Sequence, residues 1–492
     1  MIDVVEVRSL LAAHDQSHIL QFWDNLSDIE KEELLKDIKS TNVPEATSYF
    51  QSSIATLEET KKLDDLMQPI PSHLYGAVSR TSSEDLELYE NIGLESISNG
   101  QVGVLLLAGG QGTRLGVTYP KGMYDVGLPS HKSLYQIQAE RIRKLCELAE
   151  ERTGKYGTIT WFIMTSEHTK EPTLEFFKKH NFFGLNKNDV ILFEQGMLPC
   201  FTLDGKIILD NRSKISKAPD GNGGIYRALQ DNGLLRVMET RGIKYLHAHS
   251  VDNILVKVAD PIFIGYCIHK KADCGAKVVE KSSPTEALGV ICSVNGKFQV
   301  VEYSEITLET AMKQDDDGKL TFRAGSICNH FFTADFLRNV ATKFESDLKL
   351  HIAKKKIPFV SSNGQRCIPD KPNGIKMEKF IFDAFQFSDN LVVWEVSRDE
   401  EFSALKNSDS VGKDCPKTAI KSLYRLHKKF LEEAGGIFDG NSDCICEISP
   451  LISYAGEGLK KIINEKPLKS PVLLKKPNEP IIYGGIQNNH QG

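Results

Sequence analysis

Apolar and polar positions divide the chain into three stretches of different character. In residues 1–98 the apolar positions recur mainly at helical spacing. Residues 99–408 alternate continuous apolar runs with helical patterns, which is typical of a mainly parallel sheet. Residues 409–492 combine a helical segment at 423–430 and a strand-like segment at 445–452 with prolines that extend to Pro480. We therefore predict a helical N-terminal region, an α/β domain with a mixed, mainly parallel sheet, and a small β-containing C-terminal domain.

Buried strands of the α/β domain are predicted where short runs of β-branched, aromatic and aliphatic residues occur. The clearest runs span residues 102–108, 158–164, 190–193, 245–249 and 391–396. Ligands of open α/β sheets bind beyond the carboxyl ends of the strands. The segments that follow these runs are therefore the candidate binding loops.

The run at 102–108 leads into a loop that is rich in glycine and carries two cations. Its glycines are Gly109, Gly110, Gly112 and Gly116. Glycine lets an anion approach backbone N–H groups, and Arg114 and Lys121 add positive charge at the same place. The spacing matches neither a P-loop nor a dinucleotide-binding fingerprint. Ser133 and Gln136 then form a capping-box pattern, so the segment predicts a phosphate site between a buried strand and a helix.

Composition narrows the class of protein. The chain has 492 residues, a net charge of −6 and 40% apolar residues, which allows two or three domains and gives no reason to expect nucleic acid as a partner. No apolar run approaches the ~18 residues of a membrane span, and the N-terminus lacks a signal-peptide pattern. The ten cysteines form no Cys-x-x-Cys pair. We therefore expect a cytoplasmic protein with reduced thiols, monomeric or homodimeric, that contacts no membrane.

The glycine loop and its flanks resemble the signature of the eukaryotic UDP-N-acetylhexosamine pyrophosphorylases. The matching residues are Leu-Ala-Gly-Gly-Gln-Gly-Thr-Arg-Leu-Gly at 107–116 and Tyr-Pro-Lys-Gly-Met-Tyr-Asp-Val-Gly at 119–127. Further matching blocks follow in order between about residues 94 and 460. The resemblance implies a Rossmann-like nucleotidyltransferase domain that uses UTP and an N-acetylhexosamine 1-phosphate.

The resemblance also implies residues that carry the chemistry. It places Arg114 and Lys121 on the departing β- and γ-phosphates and Lys406 on the α-phosphate, and it makes Asp252 a ligand of Mg²⁺ or Mn²⁺. On its own a single aspartate is a weak metal signal, although a carboxylate suits a hard cation. The sugar phosphate would attack UTP directly, so no side-chain nucleophile is expected.

Substrate-binding residues are implied in the same way. They are Leu107, Ala108, Gly109, Gly110, Gln195, Gly221, Asn222, Glu302, Tyr303, Asn329, Phe380 and Phe382. A glutamine amide suits a uracil edge because both present a donor and an acceptor. Phe380 and Phe382 share a face if the segment is extended, and they would then pack against an acetamido methyl group. The alternative interpretation makes Asn222 a turn residue and the two aromatics core. His247 and His249 alternate with apolar residues, and we expect them to be structural residues and not metal ligands.

Three alternatives for the function stay open at this point. The sugar could be glucose, as in UDP-glucose-type pyrophosphorylases, or N-acetylgalactosamine could be accepted besides N-acetylglucosamine. The third alternative is a catalytically silent protein that only binds nucleotide sugars. The joint presence of Arg114, Lys121, Asp252 and Lys406 favours an enzyme, a UDP-N-acetylglucosamine diphosphorylase.

Overall fold

The structure is a computed structural model that describes residues 4–59, 63–438 and 444–477. Residues 478–492, which include Pro480, lie outside the described residues. The α-helices are α1 Val4–Ala13, α2 Asp28–Thr41, α3 Val43–Glu59, α4 Ser83–Ser98, α5 Leu134–Thr153, α6 Lys170–Lys179, α7 Ile225–Asp231, α8 Leu234–Thr240, α9 Pro261–His269, α10 Leu308–Ala311, α11 Ala334–Asn339, α12 Arg398–Glu401, α13 Pro416–Glu433 and α14 Leu459–Ile463.

The strands follow in the same numbering along the chain. They are β1 Met67–Gln68, β2 Tyr75–Ala77, β3 Val102–Leu107, β4 Thr160–Thr165, β5 Val190–Glu194, β6 Met197–Pro199, β7 Phe201–Thr202, β8 Leu209–Asn211, β9 Lys214–Ile215, β10 Lys217–Pro219, β11 Tyr245–Ser250, β12 Cys274–Glu280, β13 Val290–Val294, β14 Lys297–Val301, β15 Ala324–Thr333, β16 His351–Lys355, β17 Phe359–Val360, β18 Arg366–Cys367, β19 Gly374–Glu378, β20 Leu391–Glu395, β21 Ile437–Phe438, β22 Cys446–Ile448, β23 Pro467–Leu468 and β24 Val472–Leu474.

Contacts between Cα atoms group the chain into two compact units. The first comprises the described parts of residues 1–67, 195–229 and 341–384, and the second comprises the described parts of 68–194, 230–340 and 385–492. Both units are assembled from segments that are distant along the chain. The three consecutive domains predicted from the sequence, 1–98, 99–408 and 409–492, are a different division and stay a prediction.

The second unit is built on a large mixed sheet. Its strands run in the order β2-β20-β12-β15-β11-β3-β4-β5. Neighbouring strands are parallel except that β15 is antiparallel to both β11 and β12. Every residue of β3 and of β4 is buried, as expected of strands covered on both faces. The predicted mixed, mainly parallel sheet is confirmed.

The predicted strands of this sheet lie close to the observed ones. The runs at 102–108, 158–164, 190–193, 245–249 and 391–396 correspond to β3, β4, β5, β11 and β20. Ser133 caps α5 by accepting the N–H of Gln136 at 3.2 Å. The Gln136 side chain donates to Glu140 instead, which makes Ser133 a simple N-cap. Only the first half of the predicted capping box is therefore seen at this helix.

Two helices cover one face of the second unit's sheet at close range. A Cβ on Gly265 of α9 would lie 1.8 Å from the carbonyl oxygen of Tyr89 in α4, and a Cβ on Gly93 would lie 2.1 Å from that of Pro261. No other residue could occupy these positions without separating the helices, because a Cβ cannot approach backbone so closely. This packing buries Ile97 and Ile264 completely in the core beneath the sheet.

The first unit packs helices α1, α2 and α3 on small antiparallel strand pairs. Its core contains Leu11, Leu34 and Val43 from the helices and Phe201 from β7, all fully buried. Strands β16, β19 and β7 form one of its sheets. The predicted helical character of the N-terminal region is confirmed by α1–α3 here and by α4 in the second unit.

The C-terminal part of the second unit contains α13, α14 and short parallel strand pairs. The segment predicted to be strand-like, 445–452, forms a strand only at β22. Its neighbour Ser449 turns the chain by accepting the N–H of Leu451 at 3.3 Å. All ten cysteines lie within the described residues and are free thiols. No described helix is both long enough and apolar enough to cross a membrane.

Candidate active site

The glycine loop between β3 and α5 folds back on itself. Gly112 donates its N–H to the Tyr119 carbonyl at 3.1 Å, and Lys121 donates its N–H to the Gly110 carbonyl at 3.3 Å. Two 3₁₀ turns, Thr113–Leu115 and Lys121–Met123, shape the rest of the loop. The predicted phosphate-binding glycines and Lys121 are thus neighbours, while the Arg114 side chain is exposed.

Glycine is needed at different positions of this loop for different reasons. A Cβ on Gly110 would meet nothing within 4 Å, so the space beside it is open to a ligand. A Cβ on Gly112 would lie 2.4 Å from Cγ2 of Val117, inside the loop. Gly112 is therefore required by the loop's own packing, whereas Gly110 leaves room for an anion beside the backbone.

Lys121 and Asp252 form an ion pair at the carboxyl ends of adjacent parallel strands. Leu107 of β3 pairs with Ser250 of β11, so the two following loops leave the same edge of the sheet. Lys121 Nζ lies 3.3 Å from Oδ2 of Asp252, and the Ser250 hydroxyl donates to Oδ1 at 2.8 Å. Both charged side chains are about one-sixth exposed. The structure thus brings together the predicted phosphate lysine and the predicted metal ligand.

The segment that carries Lys406 is attached to the same loop. Leu405 donates its N–H to the Asp252 carbonyl at 2.9 Å. Asn253 ties the two segments together, since its Nδ2 donates to the Glu401 carbonyl at 2.7 Å and its Oδ1 accepts the Ser403 N–H at 3.0 Å. Lys406 itself is exposed. Asn253 was given no role in the sequence interpretation, although its position next to a candidate aspartate was a signal.

A buried cluster of charged side chains anchors Glu401, just before the segment that carries Lys406. Lys277 of β12 is fully buried and its Nζ contacts the carboxylates of Asp260 and Glu401. Lys257 Nζ lies 3.3 Å from the other Glu401 oxygen. Sequence reasoning missed this cluster because its members lie far apart along the chain and a strand lysine is normally exposed.

Asn329 reaches the site edge through an irregularity in β15. The β12–β15 register shifts between the pairs Ala276–His330 and Val278–Ser326, and Cys328 adopts a left-handed φ of 51°. Such bulges redirect side chains and are common beside functional sites. Burial raises the pKa of the Cys328 thiol to about 12, with Asp252 adding to the shift and Lys406 opposing it. Asn329 follows Cys328 directly and lies opposite His249 of β11.

Glu302 and Tyr303 come directly after β14, and Tyr303 is half exposed. Glu302 donates its N–H to the Glu305 carboxylate at 3.1 Å, which closes a turn. Strand β14 pairs with β13, and β13 pairs with β15 at Gly325, four residues before Asn329. The β13–β14 hairpin thus connects the two predicted sugar-binding residues, Glu302 and Tyr303, to β15, the strand that carries Asn329.

In the first unit, Gln195 lies beside a second glycine-rich loop, residues 218–226, which contains Gly221, Gly223 and Gly224. Gln195 Nε2 is 3.4 Å from the Asp220 carboxylate and 3.5 Å from the Gly221 carbonyl. Burial raises the pKa of Asp220 to about 6. The Asn222 side-chain oxygen accepts the Ile381 N–H at 2.9 Å. This asparagine therefore holds a neighbouring segment, as in the turn interpretation, and its predicted contact with substrate stays a prediction.

The glycines of this second loop also have a structural cause. Gly223 donates its N–H to the Lys379 carbonyl at 2.8 Å. A Cβ on Gly221 would lie 2.4 Å from that carbonyl oxygen, and φ at Gly221 is 88°. Close approach of the 379–381 backbone explains why glycine is needed here without any ligand.

Phe380 and Phe382 do not lie on an extended segment, which was the condition that the sequence interpretation set for a shared face. Asp383 accepts the Phe380 N–H at 2.9 Å, and a 3₁₀ helix, Ile381–Phe387, begins immediately after Phe380. Their rings nevertheless lie 5.1 Å apart, and the Phe380 ring is 4.3 Å from that of His351. Phe382 is only 9% exposed. The two aromatics share an apolar surface, but helical geometry and the His351 contact create it.

Asp252 suits a hard divalent cation. The described residues contain no group of three or more His, Cys, Asp or Glu side chains arranged to hold a metal. Mg²⁺ commonly binds one or two protein carboxylates and takes its remaining ligands from phosphates and water. The single, mostly buried carboxylate beside Lys121 therefore fits a metal that arrives with a nucleotide phosphate.

Comparisons with known proteins agree with this geometry. A family model described as UTP--glucose-1-phosphate uridylyltransferase matches residues 47–465. A UDP-N-acetylhexosamine pyrophosphorylase-like protein 1 from Xenopus tropicalis is 51% identical over 475 residues, which is 92% of this chain and 93% of the relative. The UDP-N-acetylglucosamine pyrophosphorylase of Saccharomyces cerevisiae is 38% identical over 486 residues, which is 96% of this chain and 100% of the relative.

A solved structure supports the same assignment. The crystal structure of the uridine diphosphate N-acetylglucosamine pyrophosphorylase from Trypanosoma brucei in complex with inhibitor is similar with a TM-score of 0.84 at 31% identity, covering 95% of this chain and 97% of that one. The resemblance inferred from the glycine loop is thus confirmed. This chain belongs to the UTP–glucose-1-phosphate uridylyltransferase family, among relatives named as UDP-N-acetylhexosamine and UDP-N-acetylglucosamine pyrophosphorylases.

Proposed function

We propose that this chain transfers the uridylyl group of UTP to N-acetylglucosamine 1-phosphate, forming UDP-N-acetylglucosamine and pyrophosphate. The observation that supports the proposal most is the Lys121–Asp252 pair beside the open Gly110 backbone, at the carboxyl edge of β3 and β11. This arrangement offers a cation, a metal-binding carboxylate and free space for phosphate at one place. The names of the relatives support the choice of amino sugar.

In the proposed reaction, an oxygen of the sugar phosphate attacks the α-phosphorus of UTP in line, and pyrophosphate leaves. Phosphoryl transfer of this type depends on positioning and charge neutralisation. Lys121 and the exposed Arg114 would hold the β- and γ-phosphates, and Lys406 would offset charge at the α-phosphate. Leu107, Ala108, Gly109 and Gly110 would line the nucleotide, with Asn329, Glu302 and Tyr303 on the sugar. Gln195, Gly221, Asn222, Phe380 and Phe382 keep the substrate roles that the family resemblance implies.

The proposed metal site is the Asp252 carboxylate. Asp252 would hold Mg²⁺ or Mn²⁺, which when bound supplies positive charge to the phosphate oxygens. Lys121 neutralises the same carboxylate at 3.3 Å when no metal competes for it. Ser250 fixes the carboxylate through its 2.8 Å hydrogen bond, so Asp252 is held in one orientation.

Chelation with EDTA is expected to abolish pyrophosphate release, and added Mg²⁺ or Mn²⁺ is expected to restore it. Asp252→Asn keeps the shape of the side chain but removes its charge, so the Mg²⁺ concentration for half-maximal activity should rise at least roughly tenfold. Asp335→Asn, at an exposed position on α11, is the matched control and should titrate like the parent. If the Asp252→Asn titration overlays that of the parent, Asp252 is not a metal ligand.

The sugar is tested by pyrophosphate release from UTP with a panel of sugar 1-phosphates. We expect the highest kcat/KM with N-acetylglucosamine 1-phosphate and a lower value with N-acetylgalactosamine 1-phosphate. Glucose 1-phosphate lacks the acetamido group and should be poorer by roughly tenfold or more, since a hydrophobic pocket gains about 1–3 kcal/mol from one methyl-sized group. Preference for glucose would favour a UDP-glucose-type enzyme, and absence of turnover with every sugar would favour a silent binding protein.

We further propose that the enzyme works in the cytoplasm as a monomer or homodimer, without nucleic acid or membrane. The modest negative charge and the lack of a long apolar run support this proposal. A polyanionic partner would favour a basic surface, which a net charge of −6 does not indicate.

A further inference from the structure

His247 of β11 lies in a chain of hydrogen bonds that ends at Asn329. Its ring is fully buried. The Ala259 backbone N–H lies 3.1 Å from Nδ1, and Oδ1 of Asn329 lies 2.7 Å from Nε2. A backbone N–H can only donate, so Nδ1 must accept and carries no proton. The single proton of the neutral ring is therefore on Nε2.

The ring is neutral for a clear reason. Burial, with contributions from His249, Lys277 and His330, lowers the pKa of His247 well below its ordinary value. A neutral ring with its proton on Nε2 can only donate to Asn329. A reversed Asn329 amide would bring two N–H groups face to face. The backbone N–H of Ala259 thus determines, through His247, which end of the Asn329 amide faces the imidazole.

The other end of that amide lacks a partner. Asn329 is 1% exposed, and its Nδ2 has no hydrogen-bond partner among the described residues. A buried donor that is left unpaired costs free energy, so it favours binding of an acceptor. Asn329 pairs with His249 on β11, one residue before Ser250, whose hydroxyl holds Asp252. The unpaired donor therefore belongs to the edge of the sheet that carries the proposed site.

We propose that His247 is a positioning residue for the sugar phosphate: it orients the Asn329 amide so that Nδ2 donates to a hydroxyl or acetamido oxygen of the substrate. This inference rests on the proposed function. His247 touches no substrate and acts through Asn329 alone. A residue that only fills the core would affect folding stability and both substrates alike, which separates the two roles experimentally.

A double-mutant cycle tests the inference. His247→Phe keeps an aromatic ring against Phe263 and His249 but removes the donor. We expect it to raise the KM for N-acetylglucosamine 1-phosphate about tenfold and to leave the KM for UTP within about twofold. His247→Gln can still donate and should restore most of the affinity for the sugar phosphate. Asn329→Ala and the His247→Phe/Asn329→Ala double variant should have the same KM, because His247 has no effect without Asn329.

Several results would overturn the inference. One is a fold-rise in KM for the sugar phosphate in the double variant that equals the product of the fold-rises in the two single variants. Another is an equal rise in the KM values for UTP and for the sugar phosphate in His247→Phe. A third is a KM for the sugar phosphate in His247→Gln that is no lower than in His247→Phe. His247→Leu replaces the phenylalanine variant if that one does not fold, and failure of both to fold would show that His247 maintains the fold. Loss of the proposed function is distinguishable, because the parent enzyme would then release no pyrophosphate with N-acetylglucosamine 1-phosphate.

Discussion

Lys121→Ala is expected to lower kcat for pyrophosphate release about 10²–10³-fold with UTP saturating. This is the effect of removing one preorganised donor to a charge that develops in the transition state. Lys121 is held for such a role, because its Nζ pairs with Asp252 at 3.3 Å and its N–H donates to Gly110 at 3.3 Å. The ammonium is largely shielded from water, which strengthens its interaction with phosphate.

The control for this substitution is Lys319→Ala. Lys319 also pairs with a carboxylate, Glu280 at 2.9 Å, but it is 45% exposed and outside the proposed site. The Lys319→Ala substitution removes one positive charge, as Lys121→Ala does, and should leave kcat unchanged. The melting temperature of Lys319→Ala should stay near that of the parent, because ion pairs with exposed partners contribute little to stability. Full activity of Lys121→Ala would remove Lys121 from the mechanism.

Gly110→Val is expected to weaken UTP binding at least 100-fold without destabilising the protein. A Cβ at Gly110 meets no atom within 4 Å, so the branched side chain enters open space, the space that the phosphates are proposed to occupy. Calorimetric titration with UTP measures the affinity, and thermal unfolding measures the stability. Gly110→Ala should give an intermediate loss of affinity, since it adds only one carbon beside the backbone.

Gly112→Val provides the contrast. Its Cβ would lie 2.4 Å from Val117, so this variant should lower the melting temperature by disturbing the loop itself. Loss of UTP affinity in Gly112→Val would therefore say little about ligand contact. Unchanged affinity in a folded Gly110→Val protein would show that the loop does not hold the UTP phosphates.

Five strands of the central sheet and the glycine loop could be predicted from local sequence patterns. The runs that became β3, β4, β5, β11 and β20 were recognisable because strands buried on both faces need continuous apolar residues. The glycine loop was recognisable because its glycines and its two cations are close together along the chain. These features depend on neighbouring residues, so the sequence alone could indicate them.

For two predicted binding segments, the sequence did not reveal the local backbone conformation. Phe380 and Phe382 were expected to share a face on the condition that their segment is extended, yet Asp383 accepts the Phe380 N–H at the start of a 3₁₀ helix. The family resemblance assigned Gly221 and Asn222 to the substrate, with a turn role as the alternative. The structure adds that the backbone of Lys379 packs closely against Gly221 and Gly223. In both cases the deciding contact comes from another part of the chain or from a capping side chain, which residue spacing does not reveal.

By itself, the sequence determined five strands of the central sheet, β3, β4, β5, β11 and β20, together with the position of the glycine loop and the family resemblance. Only the tertiary structure decided that Lys121 meets Asp252, that Asn253 ties the Lys406 segment to the Asp252 loop, and that His247 faces Asn329. The physical reason is strand pairing: β3 beside β11, and β15 antiparallel to β11, bring together residues separated by 131 and 82 positions. Such pairings follow from how the whole sheet buries its apolar faces, which no local pattern contains.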